Sequence, residues 1–120
     1  MEQILGIGGI FFKARDPKAL AEWYRQHLGV PVEAGQAYGM ITAAAGDRTV
    51  WSTFPADTKY FGTGPAPFMI NYRVKSLDAM LAQLRAAGVQ VDERIEEYDY
   101  GRFGWATDPE GNRFELWEPR

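Results

Sequence analysis

The stretch WATDPEGNRFELW, Trp105 to Trp117, decides how the chain is read. Two apolar runs flank Asp108-Pro109-Glu110-Gly111-Asn112. Proline pre-sets φ at about −65°, and Gly111 and Asn112 tolerate positive φ, so a tight turn between antiparallel strands is predicted. In the second strand, Arg113 to Glu118, alternation puts Phe114 and Leu116 on one face and Arg113, Glu115 and Trp117 on the other. A carboxylate among large side chains is costly unless it is hydrated, paired, bound to a cation or facing a cavity. Glu115 is therefore the first candidate functional residue.

Upstream of the hairpin, Tyr100–Thr107 reads as the strand that enters it. Phe68–Lys75 is a strand, and Ser76 caps a helix with Leu77, Met80, Leu81 and Leu84 at helical spacing and Gly88 at its end. Val89–Ile95 reads as a strand and Glu96–Asp99 as an acidic turn. In the first half, an apolar stretch from Ile4 to Ala14 precedes Asp16, a good N-cap, and Pro17, suited to the first helical position. Gly6-Ile7-Gly8-Gly9 lacks a helix start at the distance a nucleotide loop needs, so a strand is expected there instead. Leu20, Trp23, Tyr24, His27 and Leu28 share a helical face, and Gly29 closes the helix. Val30–Glu33, Tyr38–Ala45 and Thr49–Phe54 follow as strand-like segments.

The loop Pro55–Pro67 is rich in Pro and Gly, and its Tyr60 and Phe61 are expected to dock onto something. The halves echo each other: HLGVPVE answers AAGVQVDE, and GDRTVW answers GNRFEL. Each half reads β-α-β-β-β, one unit used twice.

The 120 residues make one ordinary domain, and a composition of 46% hydrophobic and 24% charged residues is that of a globular protein. Net charge is −3 with no basic stripe, so no nucleic-acid partner is expected. No apolar run is long enough to span a membrane, and no signal-peptide pattern is present. There is no cysteine and hence no thiolate chemistry. A cytoplasmic protein is the expectation. Aromatics reach 14%, enough to serve both a core and a binding surface.

DPEGNRFELWE at the end, WYRQHLGV in the first helix and RVKSLDAML in the second together resemble the vicinal oxygen chelate superfamily. That superfamily comprises glyoxalase I, bleomycin-resistance proteins, extradiol dioxygenases and fosfomycin-resistance enzymes. The resemblance covers nearly the whole chain. It implies an α+β fold of two βαβββ modules whose curved mixed sheets enclose a cavity. Residues 1–120 would be one domain, with module one at about 4–54, a linker loop at about 55–67 and module two at about 68–118. It also implies a homodimer in which modules from two chains share each cavity.

Metal-dependent members resembling this chain place a His on the first strand, a His on the first strand of module two and a Glu on the last. Those positions correspond to Gly9, Met69 and Glu115. Glycine has no ligating side chain, a thioether suits hard or borderline divalent ions poorly, and one Glu is not a three-ligand site. His27, the single histidine, is expected to pack at its helix end and meet the dipole there. No metal and no cofactor are therefore expected.

Alternation puts Gly9, Phe11, Lys13, Val50, Ser52, Phe54, Met69, Asn71, Arg73, Glu115 and Trp117 on the face that carries the ligand in relatives. Ile10, Phe12, Ile70, Tyr72, Phe114 and Leu116 should pack beneath the helices. The ligand-binding set is thus Phe11, Lys13, Phe54, Met69, Asn71, Arg73, Arg102, Trp105 and Trp117, with Glu115 as the catalytic candidate. Phe11, Phe54 and Trp117 would equally serve to fill the sheet. Arg73 and Glu115 are expected to form an ion pair. The function this supports is metal-independent binding of an aromatic or amphipathic small molecule, as in bleomycin-resistance proteins. Two alternatives stand beside it. One is a lyase, isomerase or dioxygenase-like enzyme related to glyoxalase I, with Glu115 as base or metal ligand. The other is a dimerisation or regulatory module whose cavity its own side chains fill.

Overall fold

Asp16 and Ser76 both start helices, and for one physical reason. The Asp16 carboxylate accepts from the Ala19 amide at 3.1 Å and the Ser76 hydroxyl from the Ala79 amide at 3.2 Å, satisfying N–H groups that a helix start leaves free. The computed structural model describes Glu2, Ile7 and residues 9–120. Helix α1 spans Pro17–Leu28 with Pro17 in its first turn, and Gly29 ends it at φ 70°. Helix α2 spans Leu77–Ala86. Strands β1 (Ile70–Arg73), β2 (Gln90–Val91), β3 (Glu96–Tyr98), β4 (Gly101–Thr107) and β5 (Arg113–Pro119) build one sheet.

The sheet order is β1-β5-β4-β2, with β3 also on β4, so the fold is α+β with a mixed sheet. β1 runs parallel to β5 and pairs Asn71 with Glu115 and Arg73 with Trp117. β4 and β5 are antiparallel and pair Trp105 with Glu115 and Phe103 with Trp117. Their turn closes as its residue types require. Gly111 stands at φ 86°, and the Asp108 carboxylate accepts from the Glu110 and Asn112 amides, each at 2.9 Å.

One face of the sheet carries the core. Leu77, Leu81 and Leu84, one stripe of α2, pack on Ala106, Phe114 and Leu116, and all six are at most 1% exposed. Burying each leucine contributes about 1.5–3 kcal/mol. Gly104 faces this stripe because an added Cβ would stand 3.2 Å from Leu81. Helix α1 adds an aromatic layer in which Trp23, Tyr24 and Tyr72 meet the ring of Phe114. The Tyr24 hydroxyl donates to buried Asp108 at 2.8 Å. Burial, then the charges of Tyr72 and Asp108, push that hydroxyl far above its ordinary range, so it donates as a neutral phenol.

Ile70, Tyr72, Phe114 and Leu116 thus pack beneath the helices as expected, and Phe12 joins them through Tyr24 and Phe68. Ile10 does not, being 53% exposed. Residues 4–6 and 8 of the expected first strand lie outside the described residues, and residues 9–12 form no strand. Nor do Tyr38–Ala45 and Thr49–Phe54; among the described residues of the first half only Val32 and Gly39 make a β-bridge. Alternating sequence favours a strand only where a neighbour accepts its backbone bonds, and among the described residues these segments find no more than the single bridge at Gly39. Their apolar side chains point outward, with Met40 and Trp51 each 77% exposed.

In the second half the expected turn at Glu96–Asp99 is mostly strand β3. The reversal falls at Asp99-Tyr100, and Tyr98 pairs with Gly101. The acidic composition had hidden a strand that pairs with β4, whose Arg102 stands opposite Glu97 and bonds to it at 2.9 Å.

Candidate functional site

The sheet face turned away from the helices is the candidate site. Glu115 sits on it, only 7% exposed, between Trp105 on β4 and Asn71 on β1, its partners in the register. Trp105 Nε1 donates to Glu115 Oε2 at 2.9 Å, and Asn71 Nδ2 donates to Oε1 at 2.7 Å. A third donor comes from outside the sheet, where the Tyr60 hydroxyl makes a short hydrogen bond to Oε2. Three neutral donors satisfy the carboxylate, and no ion pair reaches it among the described residues.

Tyr60 belongs to the loop after Phe54, and three contacts bring it over the sheet. Its ring stacks on Phe54 at 5.4 Å and 9° and meets the Trp105 edge at 5.9 Å and 84°. Its carbonyl accepts from Arg113 Nε at 3.2 Å. Burial first, then the bond to Glu115, push the Tyr60 hydroxyl above its ordinary range. Trp105 itself is 1% exposed, with the guanidinium groups of Arg94 and Arg113 at 5.6 and 5.5 Å from its ring centre. Both arginines are paired, Arg94 with Glu96 at 2.5 Å and Arg113 with Asp92 at 2.7 Å.

Farther along the same face lies an aromatic row. Phe103 and Trp117 are parallel at 3° and 6.0 Å, and Tyr98 and Tyr100 meet Phe103 edge-on. Trp117 and Phe103 are half-buried, while Tyr98 and Tyr100 are 44% and 60% exposed. Gly101 makes the row possible. At φ 147°, a Cβ there would stand 2.4 Å from Trp117 Nε1, which instead donates to the Tyr100 carbonyl at 3.2 Å. A buried carboxylate beside an open row of rings can bind a planar molecule by stacking and one polar bond.

The glyoxalase-like domain family matches residues 9–117. The chain belongs to that family. This glyoxalase-like domain is similar over 88% of its length to TnmS3, an antibiotic binding protein from Streptomyces sp. CB03234, at 25% identity and TM-score 0.55 with 88% of that chain covered. A protein of unknown function from Agrobacterium tumefaciens str. C58 matches 98% of this chain over 100% of its own, at 20% identity and TM-score 0.56. A glyoxalase/bleomycin resistance protein from Streptomyces sp. CB03234 is 33% identical over 41% of this chain, with TM-score 0.38. The chain spans only 42% of that protein's length. No curated protein matches.

The metal set implied by the superfamily does not fit this glyoxalase-like domain. Among the described residues no three His, Cys, Asp or Glu side chains come together to hold an ion. Both Glu115 oxygens are already taken by neutral donors, and His27 packs on Trp23 at 5.2 Å in α1.

Of the residues singled out in the sequence, the structure brings Glu115, Asn71 and Trp105 into contact and joins Phe54 to them through Tyr60. Trp117 stands next along the face, and Met69 is half-buried just before β1. The Arg73–Glu115 ion pair does not form. Arg73 lies two residues beyond Asn71 and turns outward to the Arg48 carbonyl and to Asp47 at 3.3 Å, where its charge is cheaper to solvate. Phe11 is 95% exposed and Lys13 is exposed. Arg102 is held by Asp78, Glu97 and Glu118 rather than by rings. Sequence reading left Tyr60, Phe103 and Gly101 outside the site. For Tyr60 the signal was a paired aromatic in a Pro/Gly-rich loop.

No helix among the described residues is long and apolar enough to cross a membrane.

Proposed function

We propose that this protein binds a small aromatic or amphipathic molecule on the open face of its sheet and does so without a metal. The observation that carries the reading is the state of Glu115. Its carboxylate is buried and held by Trp105, Asn71 and Tyr60, beside the stacked rings of Phe103 and Trp117. The likeness to an antibiotic binding protein supports it. A role for Glu115 as a general base has less in its favour, because both of its oxygens already accept from Trp105, Asn71 and Tyr60.

The working form in this reading is a cytoplasmic homodimer built from single-domain chains, with modules at 4–54 and 68–118. The second copy would cover the apolar side chains that the first half leaves outward, such as Met40, Ile41, Val50 and Trp51. It would also supply the strand neighbours those segments lack. Phe54, Met69 and Trp117, with Phe11, Lys13 and Arg73 brought nearer by the partner, then line a shared cavity.

Metal analysis of protein purified without added metal, joined to fluorescence titration with planar aromatic compounds, tests the reading. Metal-free protein that binds such compounds, with loss of binding in Trp117→Ala, is expected. A stoichiometric divalent ion, or no binding by any aromatic compound, overturns it.

A further inference from the structure

We infer that Glu115 is the subsite for a positive charge on that aromatic ligand, an amidinium or protonated ring amine, which takes the position of the Tyr60 hydroxyl. The inference rests on the binding reading above and names the ligand class.

Three other acidic groups recorded around this face have their own cations: Glu96 has Arg94, Asp92 has Arg113, and Asp47 has Arg73. Glu115 is the most buried of the four and has none among the described residues. Buried Asp108 also lacks a cation, but three of its bonds come from Glu110 and Asn112 of its own turn and the fourth from α1. Those donors cannot leave without unmaking the hairpin. The donors of Glu115 are different in kind. Trp105 and Asn71 are fixed on strands, whereas Tyr60 reaches in from a loop of turns and bends.

Its ring lies parallel to Phe54 at 5.4 Å and nearly perpendicular to Trp105 at 5.9 Å. An aromatic group that took its place would meet the same two rings and present its polar end to Oε2. A phenol gives a buried carboxylate one hydrogen bond and leaves its charge uncompensated. A cation gives it a hydrogen bond and also cancels the buried charge. Ligands of that class therefore outcompete Tyr60, while neutral ligands of the same shape gain no advantage from the exchange and anions are repelled.

The test uses the full chain and three planar tricyclic probes: proflavine as the cation, acridone as the uncharged compound and 9-anthracenecarboxylate as the anion. Proflavine is expected to bind at least about tenfold more tightly than acridone, and the anion more weakly than both. In Glu115→Gln the preference for proflavine should fall to less than about twofold, while exposed Glu33→Gln leaves it unchanged. Tyr60→Phe keeps the ring but not the hydroxyl, and should tighten proflavine several-fold. If Glu115→Gln fails to fold, Tyr60→Phe decides, and unchanged proflavine affinity there overturns the inference. Equal binding of proflavine and acridone, or a preference that survives Glu115→Gln, overturns it too. In those cases acridone binding that is lost in Trp117→Ala leaves the function proposed above standing. If no probe binds, both fall.

Discussion

Trp105 and Glu115 face each other across β4 and β5, and the indole N–H donates to the carboxylate at 2.9 Å. Each answers a need of the other, because both are buried and polar at one end. Removing one partner therefore strands the other. Glu115→Leu leaves the Trp105 and Asn71 donors unpaired and should destabilise the fold by on the order of 3 kcal/mol. Glu115→Gln, which still accepts, should cost clearly less. Urea unfolding of both variants decides, and equal costs would show that the carboxylate oxygens are not what holds these donors.

Trp105 and Trp117 should behave differently when truncated. Trp105→Ala empties a fully buried site and should cost about 3–5 kcal/mol. Trp117→Ala removes a half-buried ring stacked on Phe103 and should cost well under that, while weakening planar aromatic probes by roughly 0.5–1.5 kcal/mol. Melting temperature and probe titration on the same samples separate the two. A Trp117→Ala variant that loses as much stability as Trp105→Ala, with unchanged binding, would make Trp117 a core residue.

Gly101→Ala places a Cβ 2.4 Å from Trp117 Nε1 and 2.6 Å from the Glu118 carbonyl, at a φ of 147°. A loss of about 1–3 kcal/mol is expected, together with weaker probe binding as Trp117 is pushed off Phe103. Thermal unfolding as stable as the parent would mean that β4 and β5 part more easily than their register suggests.

Glu110 should make the protein acid-sensitive. Its carboxylate accepts from the Arg15 and Asp16 amides, and these backbone bonds, the Arg15 one first, hold it below its ordinary value in the folded chain. The stabilisation is complete above the unfolded value of about 4.3 and is lost as pH falls through the lower folded value. Glu110→Gln should remove this part of the pH dependence, so parent and variant should converge in stability at low pH. Denaturation midpoints measured from pH 7 downward check it; a gap that widens on acidification would reverse the sign.

The first half of the chain should be protected only in a dimer. Light scattering at micromolar concentration should give twice the mass of one chain, and Trp51→Lys, at a side chain 77% exposed in the single chain, should shift it toward monomer. A monomer in the parent protein would remove the second copy from the binding reading.

The helices, the last hairpin and the division of faces along β5 were legible in the sequence because they are local. Asp16, Ser76, Gly29 and Gly111 act on backbone groups within a few residues, and period-2 alternation needs only the strand itself. The first-half segments had the same alternation and did not become strands, since a strand is completed by a neighbour and alternation does not supply one. Glu115 could be singled out as a buried carboxylate from its own strand alone. Its partners could not, because Asn71 and Tyr60 stand 44 and 55 residues away and are chosen by register and by the path of a loop. The Arg73 expectation failed for that reason: alternation put it on the correct face, but only the parallel β1–β5 pairing set Asn71, not Arg73, opposite Glu115. By itself, then, the sequence determined the helix limits, the closing turn, the buried face and the missing histidines. Tertiary structure alone decided what meets the Glu115 carboxylate, because hydrogen bonds between distant segments depend on strand register and loop closure, which no local pattern encodes.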